Sequence, residues 1–256
     1  MSNQRFGVAV PHRQSMVHSQ SQPASVALTT QSRTETYHPP ATPSGPSIDG
    51  CIYANRNTHL VHFHAPAERL TAAVLGAGPT GVVLADQVDN SVCDWLPLPS
   101  ALAARGLRVL VFDYGNGDDS LEVQSAARFL RGQGVSRVVL MGASVGGAVV
   151  IDAGVHLHSA PAAVISLSAV PEATNYPFPA DARRLRSPSF QIGSTGDPIT
   201  QTGNDTRSLF RASPSPAKRR LLIPGEATHG TDLIGQGANS QVRNAIIEFI
   251  RAHALA

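Results

Sequence analysis

The sequence predicts an α/β domain, a mostly parallel central sheet of about eight strands with helices on both faces. Two patterns carry that reading. Short apolar runs alternate with helical stretches from residue 59 to residue 253, the rhythm of strand–helix–strand units. The runs are apolar throughout rather than at every second position, as in "VLVF" and "VVLM", which suits strands covered on both faces. A chain of 256 residues has room for one such domain with a sizeable core.

The elements follow in order. Residues 1–47 show no periodicity, are rich in Ser, Gln, Thr, Pro and His, and close on "HPPATPSGPS". That composition buries too little apolar surface to offset ordering entropy, so a disordered tail is expected ahead of a domain at 48–256. "HLVHFHA" (59–65) and "RLTAAVLG" (69–76) read as two strands around a turn at Pro66–Glu68, an antiparallel start at one sheet edge. "GVVLA" (81–85) is a third strand. "LPSALAARG" (98–106) is helical and stops on Gly106, and "LRVLVFD" (107–113) is a buried strand. "SLEVQSAARFLRGQG" (120–134) is an amphipathic helix, "SRVVLMGAS" (136–144) a strand running into a turn, and "VGGAVVIDAGVHL" (145–157) the next helix. "PAAVISLSA" (161–169), "PSFQIGS" (188–194) and "KRRLLIP" (218–224) are three further strands, and "QVRNAIIEFIRAH" (241–253) is a closing helix.

"VLGAGPTG" (74–81) contains G-x-G-x-x-G, the pattern of a dinucleotide-binding turn. That turn needs a helix starting at its glycines, and an acid about 20 residues on. Here Asp113 lies 32 residues past Gly81, and Pro97 and Pro99 interrupt the interval, so one helix does not cross it. "GVVL" also favours a strand, because its β-branched pair packs poorly in a helix. The expectation is a Gly-Pro turn between strands and no nucleotide cofactor.

"MGASVGG" (141–147) is G-x-S-x-G centred on Ser144, between a strand and a helix. Small neighbours let strand and helix pass closely, so the Ser144 hydroxyl is lifted clear on a tight turn. The backbone N–H of Val145 can then donate to a developing oxyanion. Asp197 follows the strand "PSFQIGS", and His229 lies in the loop after the last strand, within "PGEATHG". Ser144 as nucleophile, His229 as general base and acid, and Asp197 as the orienting carboxylate occur in the order expected on such a sheet. Asp232 is a rival acid, three residues past His229 and after no strand.

These pieces, with "GVVLADQ" and "WLPLPSALAARGLRVLVFDYGNGDDS", resemble the α/β-hydrolase fold over about residues 58–254, specifically capless proteins of the serine-esterase and dienelactone-hydrolase-like kind. The resemblance implies a second oxyanion donor from the loop after the third strand. By position it falls on the N–H of Gln87, or of Val88. Relatives often carry His-Gly there, whereas this chain has Asp86-Gln87. A carboxylate at Asp86 would hinder the oxyanion unless it points away or is paired. About twenty residues, 169–187, occupy the place where a cap domain is commonly inserted. They hold one short helix, "DARRLR", so a shallow, open site is expected. Trp95, Tyr176 and Phe178 are candidate rim residues or simple packing.

The remaining features point to few partners. A formal net charge of +2 with 15% charged residues gives no reason to expect nucleic acid or an acidic membrane. Lys218-Arg219-Arg220 is a short basic run expected at a solvated strand start. No membrane helix or signal peptide is seen, so a cytoplasmic location is expected, with secretion left open. Cys51 and Cys93 could pair if their backbones meet. His62 and His64 share a strand face without a visible third ligand, and His156 and His158 sit at a helix end, where cations suit the dipole. The expected function is hydrolysis of a small-molecule ester or thioester through an acyl-enzyme, without metal or cofactor. The alternatives are a thioesterase or acyl-transfer enzyme of a biosynthetic pathway, or a non-catalytic protein of this fold. The sequence does not set the oligomeric state.

Overall fold

Eight strands form one sheet in a computed structural model, which describes residues 58–87, 91–178, 180–200, 203–235 and 240–255. The tail expected at 1–47 lies outside the described residues. The strands are β1 (Thr58–His64), β2 (Arg69–Leu75), β3 (Thr80–Ala85), β4 (Arg108–Phe112), β5 (Arg137–Ala143), β6 (Ala163–Leu167), β7 (Ser189–Ser194) and β8 (Lys218–Ile223). Their order across the sheet is β1-β2-β4-β3-β5-β6-β7-β8. β1 and β2 pair antiparallel, β2 pairs antiparallel with β4, and the pairings from β4 through to β8 are parallel.

Among the described residues, six α-helices cover the sheet: α1 (Leu98–Ala103), α2 (Asp119–Gly132), α3 (Val145–His156), α4 (Ala180–Arg184), α5 (Asn204–Ala212) and α6 (Ser240–Ala254). Alternation along the strands divides the core. Val82 and Leu84 of β3 pack with residues of α1 and α6, and Val83 and Ala85 face those of α2 and α3. All four β3 side chains are fully buried, as an internal parallel strand requires. Among the described residues, a 3₁₀ turn (Pro171–Ala173) and one short helix, α4, separate β6 from β7, and there is no cap domain. Among the described residues, no helix is long and apolar enough to cross a membrane.

β3 begins at Thr80, so no helix starts at the glycine fingerprint. Gly76 turns the chain with φ +73°, and a Cβ there would press on the Leu107 carbonyl and on Ala103. The motif therefore packs a turn against the end of α1, and no helix N-terminus is present to receive a pyrophosphate.

Of the two roles open to Trp95, the structure shows packing. It is fully buried among the side chains that pack under α1 and α6. A 3₁₀ turn, Val92–Trp95, folds it inward. Ser91 caps that turn, accepting the Cys93 N–H at 3.2 Å and donating its own N–H to Asp94 at 3.2 Å. Cys93 is disulfide-bonded, and the chain's one other cysteine, Cys51, lies outside the described residues. The basic run is part of β8 itself. Lys218 and Arg220 lie over the Phe210 ring and Arg219 over Phe190, at 4.9–5.1 Å from the centroids.

Candidate active site

The carboxyl ends of the parallel strands carry the site. β5 ends at Ala143, and α3 starts at Val145. Ser144 between them adopts φ 53°, ψ −119°, a conformation that costs a non-glycine residue about 1–3 kcal/mol and persists only where its surroundings enforce it. Here the enforcement is visible. The Ser144 N–H donates to the Leu167 carbonyl at 2.8 Å, and the Ser144 carbonyl accepts from Gly147 at 3.0 Å and Val170 at 3.2 Å. A Cβ at Gly142 would collide with the Gly146 carbonyl, and one at Gly146 with the Asp86 and Ala85 carbonyls. Both glycines of the motif are thus needed for close passage of strand and helix.

His229 reaches this hydroxyl from the loop after β8. Its Nε2 lies 2.8 Å from Ser144 Oγ, and its Nδ1 lies 2.8 Å from Asp197 Oδ2. Asp197, in the loop after β7, has a fully buried side chain, and the imidazole is 14% exposed. Asp197 Oδ1 accepts the N–H groups of Ile199 at 2.9 Å and Thr200 at 3.3 Å. Burial alone would push this carboxyl up. The hydrogen bonds from His229 and the Ile199 N–H outweigh burial and hold it below the ordinary carboxylate range. Asp232 is exposed in the 3₁₀ turn Gly230–Leu233, while Asp197 occupies the imidazole.

The two expected oxyanion donors differ. The Val145 N–H is the first amide of α3, so it has no intrahelical acceptor. The Gln87 N–H is engaged, donating to the carboxylate of Asp86 at 2.8 Å. This corrects the expectation for Gln87. The cause is burial: Asp86 is 2% exposed, and a buried carboxylate takes the nearest donor. Its second oxygen, Oδ2, is buried without a hydrogen-bond partner. Burial pushes the Asp86 carboxyl up to about 7, and Asp113 and Asp94 add to the shift while the Gln87 N–H works against it. Val88 lies outside the described residues.

Gln87 has a role that its sequence position did not suggest. Its side-chain Oε1 accepts the Thr231 N–H at 3.2 Å, two residues past His229. A Cβ at Gly230 would strike this same amide, so the loop closes on Gln87 only through a glycine. The side chain therefore braces the histidine loop. No pattern in the chain ties residue 87 to residue 231, so only the fold reveals this contact.

Tyr176 and Phe178 line a cavity of about 350 Å³ between the loop after β6 and α5. His62 and His64 are exposed on the edge strand β1, and His62 meets Thr71 at 3.2 Å. His156 joins Asp152 and Asp181 in a group whose ligand atoms lie within 4.8 Å of one another and could hold a metal ion. Their hydrogen bonds are also explicable without one. Arg184 N–H points at His156 Nε2 at 3.3 Å, leaving Nδ1 to donate to the Asp152 carbonyl at 3.0 Å. Burial, then the contact with Asp152, pushes Asp181 up, as when two carboxyls share a proton.

Similarity to solved structures is extensive. An esterase of Pyrococcus furiosus superposes with a TM-score of 0.64 and 13% identity, over 77% of this chain and 91% of that one. The esterase domain of a Rhodothermus marinus protein gives 0.64 and 20%, over 77% and 99%. A dienelactone hydrolase of Anabaena variabilis gives 0.64 and 16%, over 77% and 97%. No family model and no curated protein sequence matches the chain. At these identities the likeness establishes the fold alone, that of the α/β hydrolases.

Proposed function

We propose that this protein is a serine hydrolase that cleaves small esters through an acyl-enzyme. The observation that carries the reading is the relay of two 2.8 Å contacts from Asp197 through His229 to Ser144, on a backbone held at φ 53°. Esterases and a dienelactone hydrolase among the similar structures support the same reaction class.

The chemistry follows from the geometry. Ser144 Oγ attacks the ester carbonyl, and its proton passes to His229 Nε2. Asp197 stays ionised, holds Nδ1–H and stabilises the imidazolium. Negative charge on the carbonyl oxygen is met by the Val145 N–H at the start of α3. The tetrahedral intermediate collapses, the ester C–O bond breaks, and the leaving alkoxide takes the proton from Nε2. Water then gives a proton to His229 and adds to the acyl carbonyl, and Ser144 departs with that proton restored. A thioester would react by the same steps with a thiol as leaving group.

The engaged Gln87 N–H favours a second reading, a hydrolase fold with an incomplete oxyanion hole and no turnover. Labelling with a fluorophosphonate separates the two. The hydrolase reading expects stoichiometric labelling of the wild type and none of Ser144→Ala. It also expects p-nitrophenyl acetate turnover to fall by roughly 10⁴-fold or more in Ser144→Ala and His229→Ala. Absence of both labelling and turnover in the wild type refutes it.

A further inference from the structure

We propose that the cavity between the loop after β6 and α5 is a substrate subsite for an organic cation, so that the preferred esters carry an ammonium group. The inference rests on the hydrolase reading above and names its substrate class.

The cavity adjoins the nucleophile. Val170, whose N–H bonds the Ser144 carbonyl at 3.2 Å, leads directly into Pro171 at the cavity wall. On the opposite wall, Asp205 lies close enough to Asp197 for the two charges to interact. The two walls thus lie next to the segments that carry Ser144 and Asp197. A volume of about 350 Å³ is within the range of small-molecule pockets.

The lining selects for charge. Tyr176 and Phe178 supply two aromatic rings, Leu209 an apolar floor, and Glu172 and Asp205 two carboxylates; no Lys, Arg or His is among the lining residues. Rings with adjacent carboxylates are a surface for a poorly hydrated cation, such as a quaternary ammonium. The Tyr176 ring is fixed from outside, because its hydroxyl accepts the Ser120 N–H at 3.0 Å and donates to Asp118 at 3.2 Å. Asp205 Oδ2 is buried without a hydrogen-bond partner, an acceptor still short of its donor. Burial, then Glu172 and Asp197, pushes the Asp205 carboxyl up to about 6. A bound cation would reverse that imbalance. A purely apolar acyl chain would leave the half-buried Asp205 carboxylate facing hydrocarbon, which is unfavourable.

The test is a matched pair of substrates, butyrylcholine and its neutral isostere 3,3-dimethylbutyl butyrate. The expected result is a kcat/KM ratio of about tenfold or more in favour of the cation, carried by KM, because a desolvated cation–aromatic contact acts in binding. Asp205→Asn and Glu172→Gln should each lower that ratio, and so should acidification through pH 6. A wild-type ratio of one, or a ratio unmoved by both substitutions, overturns the proposal. If neither ester turns over and fluorophosphonate fails to label, the hydrolase reading has failed, and binding decides the subsite separately. Tetramethylammonium measured by calorimetry should then bind the wild type and bind Asp205→Asn more weakly. No binding to the wild type overturns the subsite.

Discussion

Replacing Asp86 with Asn removes a charge while keeping the shape. The amide oxygen of Asn still accepts the Gln87 N–H that Asp86 holds at 2.8 Å. Burial is the leading reason the Asp86 carboxyl is pushed from 3.8 up to about 7. At 1.36 kcal/mol per pKa unit, ionising it inside the fold costs on the order of 4 kcal/mol relative to the unfolded chain. The sign is fixed by proton counts. Between about pH 4 and pH 7 the folded protein holds a proton that the unfolded chain has released, so this group makes stability fall as pH rises through that window. Asn does not titrate and lacks this slope. Wild type and Asp86→Asn should therefore melt closest together near pH 4.5, and the variant should be the more stable at pH 8. At about 2–4 °C per kcal/mol for a domain of this size, several degrees should separate them. Thermal melts at the two pH values measure it. Ester turnover adds a second readout: a neutral amide holds the Gln87 N–H less tightly than a carboxylate does, so it competes less with an oxyanion and kcat at pH 8 should rise. A variant destabilised equally at both pH values would refute the reasoning, since it would mean the carboxylate is well paired.

Two further outcomes separate the site from its alternatives. Asp197→Asn should lower kcat by several orders of magnitude, because the imidazole loses the charge that orients it, while Asp232→Asn should change kcat less than twofold; the reverse pattern in p-nitrophenyl acetate kinetics would reassign the acid. Gly146→Ala should abolish fluorophosphonate labelling and lower stability by roughly 1–3 kcal/mol in urea titration, since its Cβ would collide with the Asp86 and Ala85 carbonyls.

Much of this fold was legible because its signals are local. Strands such as β3 and β5 are uninterrupted apolar runs, and burial on both faces is what such runs require. The glycines around Ser144 announce a close crossing of strand and helix, and the structure puts carbonyl oxygens where their side chains would be. Ser144, His229 and Asp197, which meet at 2.8 Å contacts, were singled out by the same means, each standing just after a predicted strand. What remained hidden depends on contacts between distant segments. Trp95 was left between rim and packing, because whether an aromatic faces a cleft or a core depends on how the Val92–Trp95 turn is aimed. The disulfide at Cys93 depends on which backbones meet.

Asp86-Gln87 shows the limit most clearly. The sequence marks the pair as a departure from relatives, and burial then decides what the departure does. In a solvated loop Asp86 would point outward and leave the Gln87 N–H free. At 2% exposure it turns back and takes that N–H for itself, while the Gln87 side chain reaches Thr231 and holds the loop that carries His229. One dipeptide thus holds a candidate oxyanion donor and braces the loop of the proposed general base. Protonation of Asp86 would weaken the first effect without touching the second. On the hydrolase reading, the loop is consequently better suited to ester cleavage on the acid side of about pH 7. The pH profile of kcat in Asp86→Asn is the measurement that isolates this effect. It should extend to higher pH than the wild type on the alkaline side, and a profile that coincides with the wild type there would show that Asp86 does not limit turnover.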